Sequence, residues 1–126
     1  MSLKTPLGRV LGLGSAKNGT DHFVSQRVSA VALAFLGCWF IYQMLVIDSM
    51  AYLEIIRFIS QPMNTVLLSL LCVTVAYHSY LGVQVVIEDY VHSPGIKHAS
   101  LLASQFGHAV GGAAAVYAVL RIGLTL

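Results

Sequence analysis

VLLSLLCVTVAYHSYLGVQVVI, residues 66–87, is 22 residues long and contains no Asp, Glu, Lys or Arg. About 20 apolar residues in helical form cross a hydrocarbon core of about 30 Å. Two further runs of similar length flank it, residues 28–47 and 99–120. With no water in the bilayer interior, every backbone N–H and C=O must be satisfied within the protein. In so short a chain only helices achieve this. The sequence therefore predicts an all-α integral membrane protein with three transmembrane helices, forming a single membrane-anchor domain over residues 1–126.

Composition agrees. Of 126 residues, 57% are hydrophobic and only 10% are charged, against about 25% charged in an ordinary soluble domain. The mean hydropathy is +0.79. A net charge of +2 is too small to suggest nucleic-acid binding. Cys38 and Cys72 each lie inside an apolar run and form no Cys-x-x-Cys pair. An iron–sulfur or zinc site made by this chain alone is therefore not expected, and both read as small packing residues.

Residues 1–25 are polar and glycine-containing. They lack the apolar core of a secretory signal and the strong amphipathic period of a mitochondrial presequence. Gly12-Leu13-Gly14 resembles a phosphate-binding loop only superficially, since no strand pattern precedes it and no Walker lysine follows Gly19. The basic residues give orientation. Lys4, Arg9, Lys17, Arg27 and Lys97 fall on one side of the three runs, and Arg57 and Arg121 on the other. The positive-inside rule then places the N-terminus and the 88–98 connection in the cytoplasm, or in the matrix of a mitochondrion, and the C-terminus outside.

His78 falls near the middle of the second run. A titratable side chain at that depth is costly and needs a partner. Two readings stand together: an axial ligand of haem iron, or a hydrogen bond to a neighbouring helix. Gly82, four residues on, lies on the same helical face and would admit a flat porphyrin or another helix. Arg27 at the start of the first run reads either as a snorkelling interface anchor or as a clamp for a haem propionate, since guanidinium pairs with carboxylate. Asp89 and Tyr90 close the second run. A phenol can donate to a quinone carbonyl, and a neighbouring carboxylate can orient groups or relay protons. Twelve residues from His78 to Tyr90 span about 18 Å of helix.

The pattern His78, Gly82, Asp89-Tyr90 resembles the second-helix motif of the succinate dehydrogenase membrane anchors, the small cytochrome b subunits of complex II. The segment Asn18-Gly19-Thr20-Asp21-His22-Phe23, followed by Arg27, Ser29 and Ala30, resembles the start of that family's first helix. The resemblance implies a bundle shared with a partner anchor subunit. It implies His78 as one axial ligand of haem b, the other being a histidine of the partner, with Arg27 on a propionate. It also implies Tyr90 on a ubiquinone carbonyl with Asp89 beside it. The flavoprotein and iron–sulfur subunits would sit on the cytoplasmic side, and the location would be the bacterial inner membrane rather than the mitochondrial one.

Other residues are read as follows. Asp21, His22, His92 and His98 are expected to be solvated. Trp39 and the helical tyrosines are expected to pack. His108, near the middle of the third run, reads as a hydrogen-bonding residue or as an in-chain second haem ligand. Gly107, Gly111 and Ala115 form a small-residue stripe suited to close helix packing, in this chain or against the partner. Other functions compete: a fumarate reductase anchor, a small transporter or proton relay through His78 and His108, and a structural anchor without cofactor. Three helices without an inverted repeat argue against transport, and a bare anchor leaves His78 and Asp89-Tyr90 without a role.

Overall fold

The computed structural model describes residues 16–125, with side chains from residue 20 to residue 125. Lys4, Arg9 and Gly12-Leu13-Gly14 lie outside the described residues, as do the side chains of Lys17 and Asn18. The described chain is all-helical: α1 (Ala16–Val46), α2 (Tyr52–Ser60), α3 (Pro62–Tyr90) and α4 (Pro94–Thr125). Three of these carry stretches long and apolar enough to cross a membrane, Thr20–Val46, Pro62–Tyr90 and Pro94–Thr125. Each helix runs past one or both ends of its apolar run. The helical hydrogen bonds continue into polar flanks, so His98 belongs to the start of α4 and not to a loop.

α3 is central. It packs against α1 on one side and α4 on the other, and among the described residues α1 and α4 do not touch. This arrangement buries little. Leu68 and Leu81 are the only buried apolar side chains among the described residues, and no residue in the most apolar window of α4 is buried. A chain folded in water would leave far less apolar surface open, and helices this apolar suit a lipid surrounding.

α2 is an addition to the expected architecture, because residues 48–65 read only as a connection. Its residues Leu53, Ile55, Ile56, Phe58 and Ile59 recur at helical spacing around Glu54 and Arg57, which pair at 2.6 Å. α2 packs on the ends of α3 and α4, and Trp39 of α1 stacks on Phe58 with centroids 6.3 Å apart. Tyr42, Tyr77 and Tyr117 instead face outward.

The sharp corner into α3 has a local cause. Pro62 takes the first helical position, where its missing N–H is no loss. The carbonyls at the end of α2 find no helical partners, and α3 supplies them. Asn64 Nδ2 donates to the Phe58 carbonyl at 2.9 Å, and Thr65 Oγ1 reaches the Ile59 and Gln61 carbonyls at 2.6 and 3.1 Å. Both side chains are buried. Other hydroxyls in α3 are satisfied within the helix: Ser69 donates to the Thr65 carbonyl and Thr74 to the Leu70 carbonyl.

Close packing of α3 on α4 uses other small residues than the expected stripe. A Cβ at Gly107 or Gly111 would meet open space, whereas one at Gly112 would come within 3.0 Å of the Ala76 Cβ. Gly123 lies directly on the Thr65 side chain. Gly107, Gly111 and Ala115 border a cleft of about 640 Å³ between the two helices.

Candidate functional site

α1 and α3 run antiparallel, so the first turns of α1 meet the second half of α3. His22, Gln26 and Ser29 follow at i, i+4 and i+7 and share one face of α1. That face meets α3. A Cβ at Gly82 would lie 4.0 Å from Gln26 Nε2, so the glycine faces a neighbouring helix within this chain. Four residues earlier, His78 Nδ1 lies 2.9 Å from Ser29 Oγ. Ser29 is buried, at 6% exposure. Its hydroxyl also donates to the Gln26 carbonyl at 3.1 Å.

These contacts meet the requirement of a haem ligand. Such a ligand needs a neutral imidazole with one ring nitrogen bare and the other held by a hydrogen bond. His78 Nδ1 is held by Ser29, and Nε2 has no hydrogen-bond partner among the described residues. His22 Nε2 and Gln26 Oε1 are buried on the same interface without partners among the described residues. Buried polar atoms usually find a partner in protein or ordered water, so this interface has hydrogen-bonding capacity left for a water or a bound group. No three metal-binding side chains come together among the described residues.

Arg27 is exposed, its guanidinium carbon 5.2 Å from the Phe23 ring centroid. Two positions from Ser29, it sits about 200° round the helix, so the structure does not bring it onto the His78 interface. Asp89 and Tyr90 are exposed at the last turn of α3, Tyr90 at 78%. This turn is well tied. Lys97 Nζ donates to the Glu88 carbonyl at 2.7 Å, which satisfies an end carbonyl with a cation. Gln84 Nε2 donates to Glu88 Oε1 at 2.8 Å, and His92 Nδ1 donates to the Tyr90 carbonyl at 3.0 Å. His92 and His98 are exposed. Because α1 and α3 are antiparallel, Arg27, Asp89 and Tyr90 lie towards one end of the molecule. Arg57 and Arg121 lie towards the other.

His108 occupies a different interface. Its Nδ1 donates to the Ser104 carbonyl at 2.7 Å, and its Nε2 accepts from Ser79 Oγ at 3.1 Å. Tyr80 meets its ring edge-on with centroids 6.0 Å apart. Both ring nitrogens are thus engaged, and the ring faces the α3–α4 side while His78 faces α1. Residues 78 and 79 are adjacent, but about 100° of helical rotation directs them to different neighbours. Sequence reasoning singled out His78 and passed over Ser29 and Gln26 as site residues. Ser29 stood inside the quoted motif, yet a small hydroxyl on a helix has many uses, and only its distance from His78 selects one.

Comparison with known proteins points in the same direction. The family model of the succinate dehydrogenase/fumarate reductase transmembrane subunit matches residues 1–120. A Paracoccus denitrificans protein called succinate dehydrogenase hydrophobic membrane anchor subunit is 33% identical over 120 residues, 95% of this chain and 92% of the relative. A Rickettsia bellii protein of the same description is 34% identical over 90 residues, covering 71% and 72% of the two chains. One from Rickettsia typhi is 37% identical over 89 residues, 70% of each.

Proposed function

The chain belongs to the succinate dehydrogenase/fumarate reductase transmembrane subunit family, and on that premise we propose that it is the hydrophobic anchor of a succinate dehydrogenase that helps hold haem b through His78 and ubiquinone through Tyr90. The observation that carries this reading is the state of His78: mid-helix, Nδ1 held by Ser29, Nε2 uncommitted. A second cytochrome b anchor subunit supplies the other axial histidine. The flavoprotein and iron–sulfur subunits dock on the side where α1 begins and α3 ends, and electrons from succinate oxidation pass there to the quinone pool. The protein is a multi-pass membrane protein. The Rickettsia and Paracoccus relatives support the bacterial inner membrane as its location.

When bound, haem b supplies a one-electron store beside the quinone. Arg27, exposed and without a carboxylate partner among the described residues, would be the residue that holds a haem propionate. The Tyr90 hydroxyl, open at the end of α3, donates to a quinone carbonyl. Asp89 orients that region or supplies protons. A fumarate reductase anchor would use the same residues with electrons running the other way.

Replacing Tyr90 with Phe tests the quinone assignment. The change deletes one hydroxyl and keeps the ring. A neutral hydrogen bond is worth ~0.5–1.5 kcal/mol, a factor of about 2–13 in binding. Succinate–quinone turnover should fall by about that factor or more. Succinate oxidation with an artificial dye, which accepts electrons upstream, should stay nearly unchanged. Parallel loss of both activities would make Tyr90 a residue that holds the complex together.

Orientation has its own check. Three crossings put the two termini on opposite sides of the membrane. A reporter fused to the N-terminus should read cytoplasm, and one fused to the C-terminus the far side. The reverse pair would carry Tyr90 away from the catalytic subunits and end the quinone-site reading.

A further inference from the structure

We propose that Ser29 is a positioning residue that fixes His78 in the tautomer able to bind iron and tunes the potential of the haem it holds. The proposal rests on the haem reading above and adds a residue that acts through the ligand.

The hydrogen-bond arithmetic is restrictive. A serine hydroxyl carries one hydrogen. The Gln26 carbonyl, 3.1 Å from Ser29 Oγ, can only accept, so that hydrogen belongs to Gln26. With the hydrogen given there, His78 Nδ1, 2.9 Å from the same oxygen, is assigned as the donor. The proton therefore sits on Nδ1, and Nε2 carries the lone pair that a metal requires. The assignment is steady because Ser29 is buried, where no water competes for its oxygen and the bond is strengthened by low dielectric. The Gln26 carbonyl is backbone within α1, three residues back, so the hydroxyl is aimed by the helix itself.

A hydrogen bond from the far nitrogen also makes a ligating imidazole a stronger donor to its metal. Stronger donation favours ferric over ferrous iron and lowers the midpoint potential. Loss of the Ser29 hydroxyl should raise it. The expected shift in the ferric/ferrous equilibrium is a factor of about 3–10, about 30–60 mV at 59 mV per tenfold for a one-electron couple.

The test is a spectroscopic redox titration of the haem in the intact, purified complex carrying Ser29→Ala, Ser29→Val or Ser29→Thr. Thr keeps the hydroxyl, and Val copies the shape of Thr without it. The Thr variant should titrate with the wild type, and Ala and Val should titrate higher. If Ala and Val purify without haem while Thr retains it, the hydroxyl is still the property that matters and the proposal stands. Ala and Val variants at the wild-type potential overturn it. So does a Thr variant displaced as far as Val, or loss of haem from all three, since packing would then explain Ser29. A parallel His78→Leu complex separates this outcome from failure of the premise. An unchanged low-spin spectrum there rejects His78 as ligand, whatever the Ser29 variants do.

Discussion

His78→Leu should remove the low-spin haem spectrum from the purified complex or convert it to that of a haem lacking one ligand. Leu fills a similar volume but has no lone pair to give iron. The change also leaves the buried Ser29 hydroxyl, 2.9 Å from the ring nitrogen in the native protein, without that partner. Succinate–quinone activity should survive in part if, as proposed, the quinone site lies beside the iron–sulfur subunit and receives electrons from it directly. The matched control is His108→Leu. That ring spends Nδ1 on the Ser104 carbonyl and Nε2 on the Ser79 hydroxyl, so its loss should leave the haem spectrum largely intact while loosening α4 from α3. A five-coordinate haem in the His108 variant would mean that the second ligand lies in this chain and not in the partner subunit. Reduced-minus-oxidised difference spectra of both variants decide the matter.

The second large effect is structural. Gly123→Ala should destabilise the complex by about 2–6 kcal/mol, seen as a lower unfolding temperature in mild detergent. A Cβ at Gly123 would fall on the Cγ2 and Oγ1 of Thr65 and within 2.9 Å of its Cβ. Thr65 cannot turn away freely, since its hydroxyl holds the Ile59 and Gln61 carbonyls where α2 gives way to α3. Overpacking alone costs about 1–3 kcal/mol, and a buried polar group left unpaired costs about 1–3 kcal/mol more. Thr65→Ala removes the two nearest obstructing atoms, Cγ2 and Oγ1, so the double variant should be less unstable than the two single losses added together. Gly95→Ala, where a Cβ meets open space, serves as the neutral comparison. An additive double variant would falsify the contact.

The crossing helices were legible in the sequence because lipid imposes a simple rule: a run of about 20 apolar residues must be helical. The same rule made His78 conspicuous, since a polar side chain at mid-membrane depth demands a partner. The short helix α2 escaped notice because it is only 9 residues long and carries Glu54 and Arg57. Its stability comes from packing on α3 and α4 and from Asn64 and Thr65, which lie outside it. For a related reason, the glycine stripe does not pack on α3. Residues 107, 111 and 115 share one face of α4, but the direction in which α3 approaches is set by the fold, and the closest contacts fall at Gly112 and Gly123.

What the sequence by itself determined was the membrane class, the crossing segments and the pair of histidines that needed explanation. Which histidine could offer a bare nitrogen was decided only by tertiary structure. His78 and Ser29 lie 49 positions apart, as His108 and Ser79 lie 29 apart, and no local pattern encodes such distances. Periodicity places a side chain on a face of its own helix. The partner met there depends on how the helices assemble: Ser29 reaches Nδ1 of His78 and leaves its Nε2 uncommitted, whereas Ser79 occupies Nε2 of His108.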